Sequence, residues 1–146
     1  MQDSIEDFFI LMSATLKQIE QFLQQEFPQS LEQSQIEAVA SQYAKVSYRV
    51  RPTELRPGGT VSGPTMFALA DFTFYVAILA ELGIVALAVT ANLNINFLRK
   101  PAADHDLWAE CRLLKVGKRL VMGEVWVYSK AQEQAVAHVT GSYALP

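Results

Sequence analysis

The 146-residue sequence predicts an α+β fold in which one long helix packs against one curved antiparallel sheet. Three observations lead there. Residues 64–81, "PTMFALADFTFYVAILAE", are almost wholly apolar and are bracketed by Pro64 and Gly83. Beyond Gly83 the hydrophobic period changes from helical to two-fold and stays two-fold through four segments. The last three of these segments are joined by short turns, Val116-Gly117-Lys118 and Ser129-Lys130-Ala131-Gln132, as in an antiparallel meander.

The elements follow in chain order. Ser4 suits a helix N-cap, with Asp7 three residues on. Ile5, Phe8, Phe9, Met12, Leu16, Ile19, Phe22 and Leu23 then recur at helical spacing, predicting an amphipathic helix that ends at Phe27-Pro28. "QSLEQSQIEA" is polar and without clear period. "VASQYAKVSYRV" alternates, with Val46, Tyr48 and Val50 opposite Lys45, Ser47 and Arg49, and reads as one strand. "RPTELRPGGTVSG" holds two prolines and three glycines and is a loop. The apolar helix spans 64–81, and four strands lie within 85–98, 106–117, 119–129 and 135–145. The length fits a single domain, 1–146, with 1–30 as a helical extension.

Composition narrows the function classes. The net charge of −3 argues against a dedicated nucleic-acid binder. Charge is uneven, however: Lys17 is the one basic residue before Ala38, against seven acids, whereas six of the twelve basic residues fall between Arg99 and Arg119. Cys111 is the single cysteine, which excludes an internal disulfide and a cysteine-built metal cluster and fits a reducing, cytoplasmic setting. The N-terminal residues have early acids and no basic leader, so they do not read as a signal peptide. The apolar run is short for a membrane span and carries Asp71 near its centre, so no membrane partner is expected.

Asp71 is the residue that composition does not explain. Its helical neighbours at i±3 and i±4 are Phe67, Ala68, Phe74 and Tyr75, none of them a cation. A buried carboxylate without hydrogen bonds is costly, and burial raises a carboxyl group's pKa. Asp71 is therefore either a base or nucleophile, or a solvent-facing or backbone-tied side chain. At the start of the same helix, Gly58, Gly59 and Gly63 allow close approach of the backbone to a ligand, and the free first-turn amides can hold a carbonyl oxygen; they also suit a plain turn. Eight residues separate Gly63 from Asp71, about 12 Å of helix. If both act on one carbonyl, they come from two subunits about a two-fold axis.

"GTVSGPTMFALAD", "LAVTANLNINFLRKP", "GKRLVMGEVWVYS" and "AVAHVTGSYAL" together resemble the hotdog-fold acyl-CoA thioesterases of the phenylacetyl-CoA (PaaI-like) type, over about residues 46–145. The resemblance implies a single hotdog domain: a central helix wrapped by a five- or six-stranded antiparallel sheet, in homodimers that pair into a dimer of dimers. It implies hydrolysis of an acyl-CoA to a carboxylic acid and CoA, with no cofactor, since CoA is part of the substrate. By the same resemblance Asp71 is the base or nucleophile, the Gly63 amide polarises the thioester carbonyl, and Thr90 orients water. Arg99 and Lys100 meet the CoA phosphates, while Ser62, Pro64 and Asn92 adjoin the substrate.

The chain departs from the family's H-G-G-x-x-x-x-L-x-D motif: Ser62 stands at the histidine and Pro64 at the second glycine, where proline offers no amide. An upstream asparagine found in some members falls at Arg56. These departures leave a second reading open, a hotdog protein that binds acyl-CoA without hydrolysing it. Among the remaining residues, Asn92, Asn94 and Asn96 either line the cleft or form a strand's polar face. Phe72, Tyr75, Val76 and Leu79 make a core or dimer stripe, and Cys111 reads as a small buried hydrophobe. Lys118 and Arg119 are a solvated hairpin. His105 and His138 lack ligand spacing, so no metal site is assigned.

Overall fold

A computed structural model describes residues 12–146. The first third of the helix predicted from Ser4 lies outside the described residues. Within them the run does not continue as one helix: helix α1 is Leu16–Glu26, and Thr15 begins it. Thr15 Oγ1 accepts from the Gln18 amide at 3.2 Å while Gln18 Oε1 accepts from the Thr15 amide at 2.9 Å, a reciprocal cap that starts a helix wherever it forms. Just before it, the Ser13 and Ala14 amides donate to the Ala80 carbonyl and tie this segment to the end of the central helix. Ile19 and Leu23 of α1 are fully buried.

Two strands follow where one was predicted. β1 (Ser34–Ala40) and β2 (Tyr43–Tyr48) form an antiparallel hairpin. Its two-residue turn, Ser41-Gln42, contains no glycine, and Gln42 takes φ 59°. Glu81 steadies that turn from the central helix: its Oε1 accepts from Ser41 Oγ at 3.0 Å and from the Gln42 amide at 3.1 Å.

The central helix α2 spans Gly63–Leu82, and twelve of its residues are buried. It is apolar on nearly every side, as a helix surrounded by protein must be. Its length and apolarity would suffice to cross a membrane, but it is the core helix here. The buried Thr73 hydroxyl donates to the Leu69 carbonyl at 2.7 Å, so it costs the core nothing unsatisfied. Gly83 ends α2 at φ 92°, a conformation open chiefly to glycine.

The remaining strands are β3 (Val89–Phe97), β4 (Leu107–Val116), β5 (Leu120–Ser129) and β6 (Ala137–Ala144). The six form one antiparallel sheet in the order β1-β2-β4-β5-β6-β3, curved around α2. Strands β4, β5 and β6 are the predicted meander. β3 is not its first member: it pairs with β6 at the far edge, so the 98–106 connection carries the chain across the sheet. Residues Leu107, Ala109, Cys111, Val121, Val125, Val127, Val139 and Tyr143 face the helix and are buried. Burial also pushes the Cys111 thiol pKa well up, which suits an inert core residue.

Candidate active site

The partners that α2 could not give Asp71 come from the sheet. Thr90 on β3 and Tyr143 on β6 are paired across the strand ladder, so both side chains reach the same point on the helix. Thr90 Oγ1 donates to Asp71 Oδ1 at 2.6 Å, and Tyr143 Oη donates to the same oxygen at 2.7 Å. The tyrosine hydroxyl also lies 2.9 Å from the Asp71 backbone carbonyl. Among the described residues, no group bonds Oδ2. Both donors thus hold one oxygen of the carboxylate and leave the other toward the cleft.

Tyr143 is itself well fixed. It is 4% exposed, its ring lies 4.8 Å from that of Phe74 and 6.2 Å from that of Tyr75, and Tyr75 in turn donates to the Ala86 carbonyl at 3.1 Å. Burial, joined by the charge of Asp71, pushes the Tyr143 pKa well up, so the phenol remains a donor. Asp71, Thr90 and Tyr143 open on a cleft of about 520 Å³, walled by Ala68, Phe72, Tyr75, Ala88, Val89 and by Phe27 from the N-terminal extension. Sequence reading did not single out Tyr143. Its signal was available: an inward-facing tyrosine in a core strand needs a partner for its hydroxyl.

Gly63 lies elsewhere. It lines a second cleft of about 410 Å³ with Arg56, Met66, Phe97, Arg99 and Lys100. A side chain at Gly63 would place its Cβ 3.0 Å from Phe97 Cζ, so the ring packs directly over the helix start. As the first helical residue, Gly63 has no intrahelical acceptor for its amide. One protomer therefore keeps the carboxylate and the amide in separate clefts.

The other predicted residues divide. Arg99 and Lys100 share the Gly63 cleft, and Arg99 Nη1 also donates to the Ala135 carbonyl. Ser62 is the N-cap of α2: its Oγ accepts from the Thr65 amide at 3.4 Å and lies 2.8 Å from Thr65 Oγ1, which donates on to Glu54 Oε2 at 3.3 Å. That chain engages the Ser62 hydroxyl internally. Pro64 is exposed in the first turn and lines neither cleft.

Asn92 needs a correction. A bulge between Thr90 and Asn92 shifts the register, and Asn92 pairs with Ser142, whereas Thr90 pairs with the inward-facing Tyr143. Asn92 therefore turns to the outer face of the sheet with Asn94 and Asn96, away from both clefts, and the strand-face reading of these asparagines holds.

The fold is shared with known proteins. The Thioesterase superfamily model matches residues 58–136, which contain Gly63, Asp71, Thr90, Arg99 and Lys100. A solved structure from Silicibacter sp. TM1040, provisionally assigned as a thioesterase, is 41% identical, with a TM-score of 0.84 over 92% of this chain and 94% of that one. A variant of the phenylacetic acid degradation protein PaaI from Thermus thermophilus is 25% identical, with a TM-score of 0.69 over 82% of this chain and 98% of that one. A hypothetical thioesterase from Streptococcus pneumoniae, solved with coenzyme A, shares the fold at 17% identity, with a TM-score of 0.72 over 86% and 95% of the two chains. No curated protein matches.

Proposed function

The chain belongs to the thioesterase superfamily, as a hotdog-fold protein of the PaaI-like type, and from that we propose that it hydrolyses an acyl-CoA thioester to a carboxylic acid and CoA. The observation that carries the proposal is the Asp71 carboxylate, held by Thr90 and Tyr143 through one oxygen with the other toward a cleft.

The chemistry follows from that arrangement. Thr90 gives its proton to Asp71, so toward water it acts only as an acceptor. A water that donates one proton to Thr90 Oγ1 and the other to Asp71 Oδ2 presents its lone pair to the thioester carbon. Asp71 takes the proton as the new C–O bond forms. The carbonyl oxygen becomes an oxyanion, stabilised by the Gly63 amide at the positive end of α2. Collapse breaks the C–S bond, and the CoA thiolate takes up the proton. If Asp71 instead attacks directly, the same oxygen displaces the CoA thiolate to form a mixed anhydride; water then opens it to the carboxylic acid and the Asp71 carboxylate, and the proton released goes to the thiolate.

For one reaction to use both Asp71 and Gly63, two protomers must meet. Edge strand β3 supports such a meeting. Thr90, which touches Asp71, stands near one end of β3, and Phe97, which covers Gly63, stands at the other. Val89 and Phe97 are 58% and 53% exposed on this unpaired edge, the kind that invites another strand. Antiparallel pairing of β3 with a second copy of itself sets each Thr90 beside the partner's Phe97, and so each carboxylate near the partner's Gly63. Arg99 and Lys100 then lie on the CoA side of the composite site and meet its phosphates. Pairs of dimers complete the proposed assembly.

Thiol release from a panel of acyl-CoAs tests the reading. Turnover above background that falls about a thousandfold in Asp71→Asn supports it. The Pro64 and Ser62 departures favour a second reading, acyl-CoA binding alone; no turnover with any ester, while the esters still raise the melting temperature, would establish that instead.

A further inference from the structure

The Asp71 cleft does not end at Phe72. A neighbouring chamber of about 220 Å³ adjoins it, and Phe27, Ala68 and Phe72 line both spaces at the junction. The chamber is bordered on one side by the N-terminal extension, through the 3-10 turn Pro28–Leu31 and the entry to β1, and on the other by Leu69 and Tyr48. We infer that this chamber takes the distal part of an apolar acyl tail, and that Phe27 of the extension sets how long a tail the protein accepts.

Several features support the assignment. Phe27 is held by its backbone. Its amide donates to the Leu23 carbonyl at 2.8 Å, and its carbonyl accepts from the Ser30 amide at 3.1 Å and the Ser30 hydroxyl at 2.7 Å. The ring is left 37% exposed at the junction, a large aromatic surface on a fixed post. Opposite it, α2 presents Ala68, one helical turn before Phe72, and this small side chain leaves room at the junction. Of the charged groups at the chamber's rim, Arg51 is paired within the chain, its Nε 3.3 Å from Glu54 Oε1, and Tyr48 donates to the same carboxylate, while Glu32 is exposed on the outer side. What remains for a ligand on the inner side is chiefly Phe27, Ala68, Leu69 and Phe72. Direction completes the argument, and here the inference rests on the proposed thioester site. With the carbonyl at Asp71 and CoA leading toward the basic cleft, the acyl group points the other way along α2, toward Phe27.

The test compares butanoyl-CoA with dodecanoyl-CoA. In Ala68→Phe, which fills the junction, the ratio of kcat/KM for the long ester over the short one should fall by about tenfold or more, the effect of roughly two methylene groups kept in water. Phe27→Ala should move the ratio the other way. Affinities of the same two esters are measured by calorimetry in the Asp71→Asn background with and without Ala68→Phe, so the chamber is tested even if the wild type hydrolyses neither ester. Absent turnover would then count against the thioesterase reading alone. Loss of long-chain preference in Kd supports the chamber; equal change for both esters, in rate and in affinity, overturns it. If Ala68→Phe fails to fold, Ala68→Leu with Phe27→Trp decides by the same ratio.

Discussion

At the scale of single residues, the site depends on which oxygen of Asp71 is held. Thr90 and Tyr143 both donate to Oδ1, so removing either loosens the carboxylate without removing it. Tyr143→Phe should lower kcat/KM about tenfold, the usual effect of one hydrogen bond to a charged group. Its melting temperature should fall only slightly, since the ring contacts with Phe74 and Tyr75 persist. An unchanged kcat/KM would mean that the phenol serves packing alone. Thr90→Val should lose activity by a factor of about ten to a hundred while Thr90→Ser keeps most of it, because only the hydroxyl enters the chemistry. Asp71 was legible in the sequence because a carboxylate in an apolar helix demands an explanation. Tyr143 left a weaker signal, an inward-facing hydroxyl in need of a partner, and only the register that sets it opposite Thr90 shows which partner that is.

At the scale of elements, the start of α2 carries the other half of the proposed chemistry. Ser62 has φ −67° and ψ 151°, a conformation that the residue before a proline adopts readily. Gly63→Pro therefore removes the amide hydrogen while respecting the helix N-terminus. It should lower kcat by about a hundredfold to a thousandfold. Gly63→Ala, which meets the same half-exposed Phe97 ring but keeps the amide, should lose far less. Equal losses would assign Gly63 to packing. Strand β2 gives a pH prediction. Burial and the hydrogen bonds to Glu110 and Glu54 raise Tyr43 and Tyr48 to about 12, above their usual 10. A raised tyrosine stabilises the fold below its unfolded pKa and loses that contribution as pH climbs through the folded one. Melting temperature should hold to about pH 10 and fall toward 12, less so in Tyr43→Phe. The strands were legible by alternation and α2 by its flanking breakers. The β1–β2 turn was not, since Ser41-Gln42 has no glycine and is held from afar by Glu81. The position of β3 beside β6 was equally hidden, because pairing across the sheet leaves no local pattern.

At the scale of the whole molecule, the two clefts of one protomer pose a question that no single-subunit measurement answers. Asp71 and Gly63 lie about two helical turns apart on one straight element, too far to share a carbonyl. If each site is completed across β3, two variants dead for different reasons should repair each other. Asp71→Asn subunits keep a sound Gly63 amide, and Gly63→Pro subunits keep a sound carboxylate. When the two are mixed, unfolded and refolded together, about half the dimers contain one of each. In each of these, one site draws Asp71 from one chain and Gly63 from the other and is complete, while its mate lacks both. Specific activity should therefore return to about a quarter of the wild-type value, although each variant alone is inactive. Recovery should depend on subunit exchange: mixing without unfolding should give none until the dimers exchange. A co-refolded mixture as inactive as its parents, with heterodimers present by native mass spectrometry, would mean that no site combines Asp71 of one chain with Gly63 of the other. The pairing of β3 edges would then be structural only, and the carbonyl would need another donor near Asp71.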